Sequence, residues 1–490
     1  MSGSGVRPPP LSDAGAVALA ASACAGACVA EVLQRTLPLA AGLVLVALAL
    51  LSRRGAALVL SVFVLSMTCA DRAWSGVDAP DSARYSGPAT LVTDPRSAQS
   101  GSKPTGAARA VRAVVRVEGR RLDVWAAGSA ARRLAPRQAG EIVWVEGQVR
   151  APVPGRARWL ALRHVEGTMS VERIIDWSPG TALAQSANRL RSVLVTGARV
   201  LEPTDRSIYL GLVIGDDRAQ PGGVVDDFRA SGLGHLNAVS GQNVAFVLAA
   251  VLPLLRRCRP LPRWALTMAF LGWFAVLTRL EPSVLRATFM AALGATAFAL
   301  GRSAPPLRLL SLTVTALVLV DPFLVHSVGF WMSVTATLGI VLWSGPVAAA
   351  LRGPRWVVLP LSVSLAAQVG VAPVAWWVFG REAALALPMN LLAGPCAAVV
   401  MTLGLPAGTV AGMFPSLSAV LHGPTVVFVR LLRTIARLGA AGDVAALRPV
   451  ATLLGFAIVG WALQRRRTRL PERPTARASG RGTPRLGPHE

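Results

Sequence analysis

His235, Asn237, Ser240 and Asn243 fall within one short stretch, interrupted by Gly232, Gly234 and Gly241, and run directly into an apolar segment. Each type can do chemistry. A serine beside a histidine offers a nucleophile and its base, the arrangement of an intramembrane hydrolase. Ser240 and His235 lie five positions apart, however, off one helical face, and no neighbouring carboxylate stands ready to orient the imidazole; Asp216 or Glu281 would have to fold in. The second chemistry is packing, in which Gly and Ser let helices approach while His and Asn satisfy broken backbone. The third is a hydrated path, because freed backbone groups and polar side chains at membrane depth need protein or water around them. On this third reading His235, Asn237, Ser240, Gly241 and Asn243 line the path, and Gly232 and Gly234 break the helix ahead of it.

Two further polar insertions belong with these. Glu281-Pro-Ser-Val-Leu-Arg286 puts Pro282 at a helix start and Arg286 about one turn inside an apolar span, where a guanidinium needs water, a phosphate or a partner such as Glu281. Leu387-Pro-Met-Asn390 interrupts another span. Asp216, Asp217, Asp226 and Asp227 form an acidic group that fits helix capping better than a divalent cation site. No cofactor and no metal centre are expected: Cys24, Cys28, Cys69, Cys258 and Cys396 sit in or beside apolar spans without metal-ligand spacing, and the five histidines are scattered.

The elements that must hold these residues are mostly apolar. Of 490 residues 53% are hydrophobic and 15% charged, clustered so as to exclude an ordinary soluble domain. The fold class is therefore a polytopic α-helical membrane protein of about twelve spans. Three spans occupy 1–70, near 14–31, 37–52 and 56–70. Nine more are expected at 236–255, 264–280, 283–300, 307–320, 325–345, 356–379, 383–402, 405–421 and 448–464. Every second connection is basic: Arg53 and Arg54, Arg256 to Arg263, Arg302 and Arg308, Arg352 and Arg355, and Arg465 to Arg469. Positive charge marks cytoplasmic connections, so both termini are assigned to the cytoplasm of a cell-membrane protein. Arg430, Arg433 and Arg437 share one face of a segment near 425–440, read as a surface helix.

Between these sets, residues 71–180 lose hydropathy and gain short alternating runs at 113–117, 122–125 and 141–146, bounded by glycine. They read as strands of a small extracellular barrel or sandwich, with Trp125, Trp144 and Trp159 on strands and a flexible loop near 93–108. Lys and Arg exceed Asp and Glu there by six, a modest basic bias. Residues 181–204 read as an amphipathic interfacial helix that keeps Arg189, Arg191 and Arg199 off its apolar face, residues 205–465 as the main transmembrane domain, and 466–490 as a disordered basic tail. The net charge is +25, almost all arginine, since Lys103 is the sole lysine. Arginine suits phosphate, although topology alone also favours positive charge.

Gly211-Leu-Val-Ile-Gly-Asp216, the run from Phe228 to Val244, Pro282-Ser-Val-Leu-Arg286, Asp321-Pro-Phe, Gly329-Phe-Trp-Met-Ser333 and Asn390-Leu-Leu-Ala-Gly-Pro395 together resemble the ComEC competence-protein family. The likeness covers 205–460 by motif and 71–180 by position, where that family carries an extracellular OB-like domain. It implies a channel that passes single-stranded DNA into the cytoplasm during natural transformation, with Arg286 guiding phosphates, Asp216 positioning the broken helix and Asn390 on the same path. Many members carry a metallo-β-lactamase-like domain. No His-x-His-x-Asp-His cluster occurs here, so either a separate chain supplies nuclease activity, beside other competence-machinery proteins as partners, or this is a shortened member outside transformation; a second copy of the chain is an open alternative as a partner. A flippase or transporter of a small anion or lipid remains a rival, since broken helices serve those proteins too.

Overall fold

A computed structural model describes residues 12–33, 38–52, 54–77, 80–97, 110–236, 241–302, 305–380, 385–442 and 448–469. Asn237 and Ser240, most of the expected 93–108 loop and most of the basic tail lie outside them.

The chain opens with three helices, α1 (Asp13–Leu33), α2 (Leu39–Ser52) and α3 (Gly55–Ser75), which pack on one another. Small side chains make the contact possible: Ala23, Ala27 and Ala30 of α1 are buried, and Ser66 of α3 donates to the Ala23 carbonyl at 2.6 Å.

The polar region that follows is a barrel. Its strands are β1 (Ala83–Leu91), the two-residue β2 (Arg96–Ser97), β3 (Val111–Val117), β4 (Arg120–Ala126), β5 (Ile142–Arg150) and β6 (Gly167–Ser178), with helix α4 (Gly128–Leu134) before β5 and α5 (Pro154–Ala161) before β6. Setting β2 aside, pairing runs β1–β3–β4–β6–β5 and back to β1, with β4 and β6 parallel. That circuit closes the sheet into a small barrel, with a helix between its third and fourth strands. Period-2 alternation creates its core: Val111, Ala113, Val115 and Val117 point inward from β3 to meet Leu122, Val124 and Ala126 of β4. The expected strands are present with longer bounds, but Trp159 is on α5, not on a strand, because Pro154 starts a helical turn and Arg-Ala-Arg-Trp-Leu continues it.

The remaining helices are α6 (Ala182–Gly197), α7 (Pro203–Ile214), α8 (Gly222–Ala230), α9 (Gly241–Leu255), α10 (Pro260–Leu277), α11 (Pro282–Ala299), α12 (Pro306–Val320), α13 (Val328–Ala350), α14 (Arg355–Phe379), α15 (Ala386–Met413), α16 (Ser418–Leu421), α17 (Gly423–Ala441) and α18 (Arg448–Arg469). Among the described residues six helices are long and apolar enough to cross a membrane: α1, α3, α10, α13, α14 and α15. The chain is thus mostly helical and membrane-directed, with a small barrel inserted.

Three expectations change. The spans foreseen at 383–402 and 405–421 are largely one helix, α15, which runs through Pro395 and Pro406 unbroken. In a membrane bundle, neighbouring helices compensate for the carbonyls that proline leaves unpaired. Secondly, α6 does more than lie at an interface: it packs on α15 and α10, and Arg191, expected off the buried face, is 2% exposed. Thirdly, α17 buries Val429, Leu432 and Ala436 in the main core, and the short turn before it meets it at 54°.

Candidate functional site

Arg286 lies just over one turn inside α11, whose first helical residue is Pro282. The guanidinium is 9% exposed and pairs with no carboxylate among the described residues. Its Nε donates to Ser333 Oγ and its Nη1 to Thr337 Oγ1, each at 2.6 Å, with Met290 Sδ 3.7 Å from Nη1. The expected pairing with Glu281 does not form; Glu281 is exposed ahead of α11. Hydroxyl groups four apart on α13 thus form a polar ladder opposite a single cation. A lone arginine at mid-membrane costs about 2.5–3.5 kcal/mol, and hydrogen bonds from a charged group return about 1.5–3 kcal/mol each. The charge is tolerated but not neutralised, which leaves it able to attract an anion.

Gly241, first residue of α9, abuts this group. A Cβ there would stand 2.8 Å from Arg286 Nη2 and 3.0 Å from Ala287 Cβ, so a larger residue would displace the guanidinium or part α9 from α11. Sequence reasoning placed Gly241 and Arg286 on one path, and the fold brings them together. It missed Ser333 and Thr337, although two hydroxyls at i and i+4 in an apolar span were a readable signal.

The other candidates are distributed differently. His235, in the 3-10 turn Gly234–Leu236, is exposed. Gly232, at φ +77°, takes the left-handed turn that ends α8; Gly234 has no such φ, and a Cβ there would meet nothing closer than 3.5 Å. Asn243, expected to line the path, is buried and donates to the Leu212 carbonyl of α7 at 2.8 Å, tying α9 to α7. Asn390 is half-buried near the start of α15, a helix that packs chiefly on α6, α7 and α17. Asn237 and Ser240 cannot be placed.

Asp216 is not a helix cap. The C-cap of α7 is Gly215, left-handed at φ +69°, and the Asp216 carboxylate accepts two bonds of 2.7 Å from Arg218 and lies 3.5 Å from Arg191. That pairing opens onto a larger network. Arg191 of α6 donates to the carbonyls of Ile214 and Leu277, the ends of α7 and α10, and to Asp94 of the barrel at 3.1 Å. Asp94 also accepts from Arg279 at 2.8 and 3.0 Å and from the Ala139 N–H at 2.8 Å. Burial alone would push the Asp94 carboxyl up, but Arg191, Arg279 and the Ala139 N–H outweigh it and hold it down at about 2. Asp226 and Asp227 lie inside α8, where Asp227 faces Arg437 at 3.9 Å.

A second set of contacts seats the barrel's β5–β6 loop on the first helices. Arg158 reaches Glu31 of α1 at 2.5 Å, and His164 approaches Asp321, at the end of α12, at 3.0 Å. Among the described residues no three His, Cys, Asp or Glu converge as a metal site.

Fold and site together define a polytopic membrane protein with a barrel docked on one end of its helical bundle and an unneutralised arginine within it. A family model described as "Competence protein" matches residues 212–469, and the chain belongs to that family. ComE operon protein 3 of Bacillus subtilis (strain 168) is 26% identical over 251 residues, covering 50% of this chain and 32% of that protein. The chain therefore spans about a third of that relative's length. No solved structure matches.

Proposed function

We propose that the chain is a channel component through which single-stranded DNA enters the cytoplasm during natural transformation, and that it is a conduit, not an enzyme. Membership of the competence family supports a role in DNA uptake. The observation that carries the finer reading is Arg286: a charge without a carboxylate partner among the described residues, braced by Ser333 and Thr337, beside the glycine that opens α9. A strand of phosphates crossing lipid needs such cations, spaced so that each holds it briefly. With Arg286 only 9% exposed the path is closed at this level, so passage requires α9 to shift against α11 and α13.

We place the protein in the cell membrane with twelve crossings: the six long helices, the bent pair that ends in α17, the shorter apolar helices α2, α9, α12 and α18, and α11. The barrel then faces outward. A separate nuclease and other competence proteins are its partners on this reading. Of the two acids open to the hydrolase alternative, Asp216 is held by Arg218 and Arg191.

Uptake of fluorescent DNA by cells carrying Arg286→Ala or Gly241→Leu tests the channel. Both variants should lower uptake at least tenfold while the protein remains in the membrane. Normal uptake in both would reject it, and normal DNA uptake with impaired movement of a small anion or lipid would favour the transporter.

A further inference from the structure

The turn that ends α10 has a backbone its own residue types oppose. The Arg279 N–H donates to the Val276 carbonyl at 3.1 Å and the Leu280 N–H to the Ala275 carbonyl at 2.8 Å, the paired bonds that close a helix through a left-handed residue. Elsewhere this chain gives the left-handed position to glycine. Gly215 takes it at the end of α7, and at the end of α11 Gly301, at φ +64°, and Arg302 repeat the same two bonds. At the end of α10 the residue is Arg279, at φ +62°, and Leu280 follows it at φ +56°. A Cβ disfavours this region by about tenfold relative to glycine, and here two residues in succession carry one. Packing does not compensate for Leu280, which is 53% exposed.

The Arg279 guanidinium shows what holds the turn. It donates to Asp94 at 2.8 and 3.0 Å, to Asn188 Oδ1 of α6 at 2.9 Å and to the Ala139 carbonyl at 3.3 Å. Asp94 and Ala139 belong to the barrel, and Arg191, also bonded to Asp94, donates to the Leu277 carbonyl just before the turn. The restraint therefore comes from outside the two helices that the turn joins. Beyond it there is no slack: the Glu281 carbonyl accepts from the Leu285 N–H at 2.9 Å, Pro282 opens α11, and Arg286 follows about one turn later. This first stretch of α11 is what α9 meets, since Ser283, Arg286 and Ala287 lie around Gly241.

We infer that Asp94 and Arg279 are positioning residues for the passage. While the barrel is docked, their ion pair holds the α10–α11 turn left-handed and keeps the start of α11, with Arg286, closed on Gly241. When the barrel lifts, the turn relaxes out of the left-handed region, α11 changes its angle to α10, and the seam with α9 opens. Backbone strain favours opening and the ion pair favours closure, so the two oppose each other across one turn and the position of the barrel decides between them. The inference rests on the channel reading and names what sets its seam.

The test follows the seam and not DNA. In a cysteine-free background, full-length Ala287→Cys in lipid nanodiscs is treated with a small anionic methanethiosulfonate, and the labelling rate reports opening. Asp94→Asn and Arg279→Ala free the barrel and keep the strain, so each should raise the rate about tenfold or more. Leu280→Gly keeps the guanidinium contacts and relieves the strain, so it should lower the rate by up to about tenfold. A turn that served only to pack the helices predicts the opposite for Leu280→Gly, because added backbone freedom would loosen it. An unchanged or faster rate in Leu280→Gly would overturn the inference, and that variant removes only an exposed side chain, so the fold survives it. So would an unchanged rate in Arg279→Ala when faster proteolysis between residues 71 and 181 shows the barrel released. Rates that move as expected while Arg286→Ala and Gly241→Leu take up DNA normally reject the channel reading and keep the coupling of barrel to seam. Unchanged rates with uptake lost in Gly241→Leu reject the coupling alone.

Discussion

Asp94 shows how much one carboxylate can organise. It reaches Arg191 and Arg279 from the barrel, and through Arg191 it touches the ends of α7 and α10. Removing one member of a buried pair leaves the other uncompensated, at about 3–5 kcal/mol. Asp94→Asn should therefore loosen the barrel from the bundle, read as a lower unfolding temperature in detergent and faster proteolysis between residues 71 and 181. The pH dependence has a definite sign. A carboxyl held at about 2 in the folded protein, against an ordinary value near 4, stabilises docking above about pH 4 and loses that contribution as pH falls toward 2. Docking should be flat from pH 5 to 8 and weaken below 4. None of this was readable from the residue alone: Asp94 sits in a stretch that looks like a loop, and Arg191 looked solvated until its partners arrived from residues about a hundred positions away.

Among the elements, α15 is the one whose expected form and observed form differ most, and also the one whose packing signal was clearest. Gly404, Gly408 and Gly412, four apart along the chain, form a close-packing face. The Tyr209 hydroxyl of α7 donates to the Gly404 carbonyl at 2.8 Å, Gly408 lies against the same tyrosine, and Gly412 lies against the backbone of Val193 on α6. The three positions should respond in order. Gly412→Ala puts its methyl into backbone that cannot yield, and Gly408→Ala meets the Tyr209 hydroxyl. Gly404→Ala meets only the ring edge at 3.0 Å. Overpacking costs about 1–3 kcal/mol, so thermal stability in detergent should fall most for Gly412→Ala and least for Gly404→Ala. A reversed order would mean that α6 and α15 are not fixed to each other. The arginines of α17 were likewise placed on one face correctly; their partners, Asp205 and Glu202 at the start of α7 and Asp227 of α8, were not visible.

At the scale of the molecule the contacts distinguish two ends. Asp13 pairs with Arg308 at 3.0 Å, joining the starts of α1 and α12, while the opposite ends of those helices meet the barrel through Glu31 and Asp321. The Arg256 to Arg263 turn begins α10, whose far end lies at Arg191. Arginine-rich turns thus collect away from the barrel, the pattern that the positive-inside rule turns into an orientation. In a cysteine-free background, Ala151→Cys should react with a membrane-impermeant maleimide in intact cells, and Arg257→Cys only after lysis. Both positions are exposed, so accessibility within the protein does not confuse the result. Labelling of Arg257→Cys from outside would invert the protein and remove the barrel from the side where DNA arrives.

By itself the amino-acid sequence determined the class of element in each region, because apolar length, two-residue alternation and basic turns are local properties that survive any tertiary arrangement. It also determined that the stretch near Gly241 and the cation at Arg286 need protein or water around them, since a polar group in lipid is costly until something satisfies it. Only the tertiary structure decided which charges face each other. Arg191 became core and Arg286 met two hydroxyls of α13 while Glu281 stayed outside, and Trp159 gathered arginines from both β3 and its own loop. Such pairings join residues tens to hundreds of positions apart, and electrostatic energy at a few ångströms depends on that distance in space, which no spacing along the chain encodes.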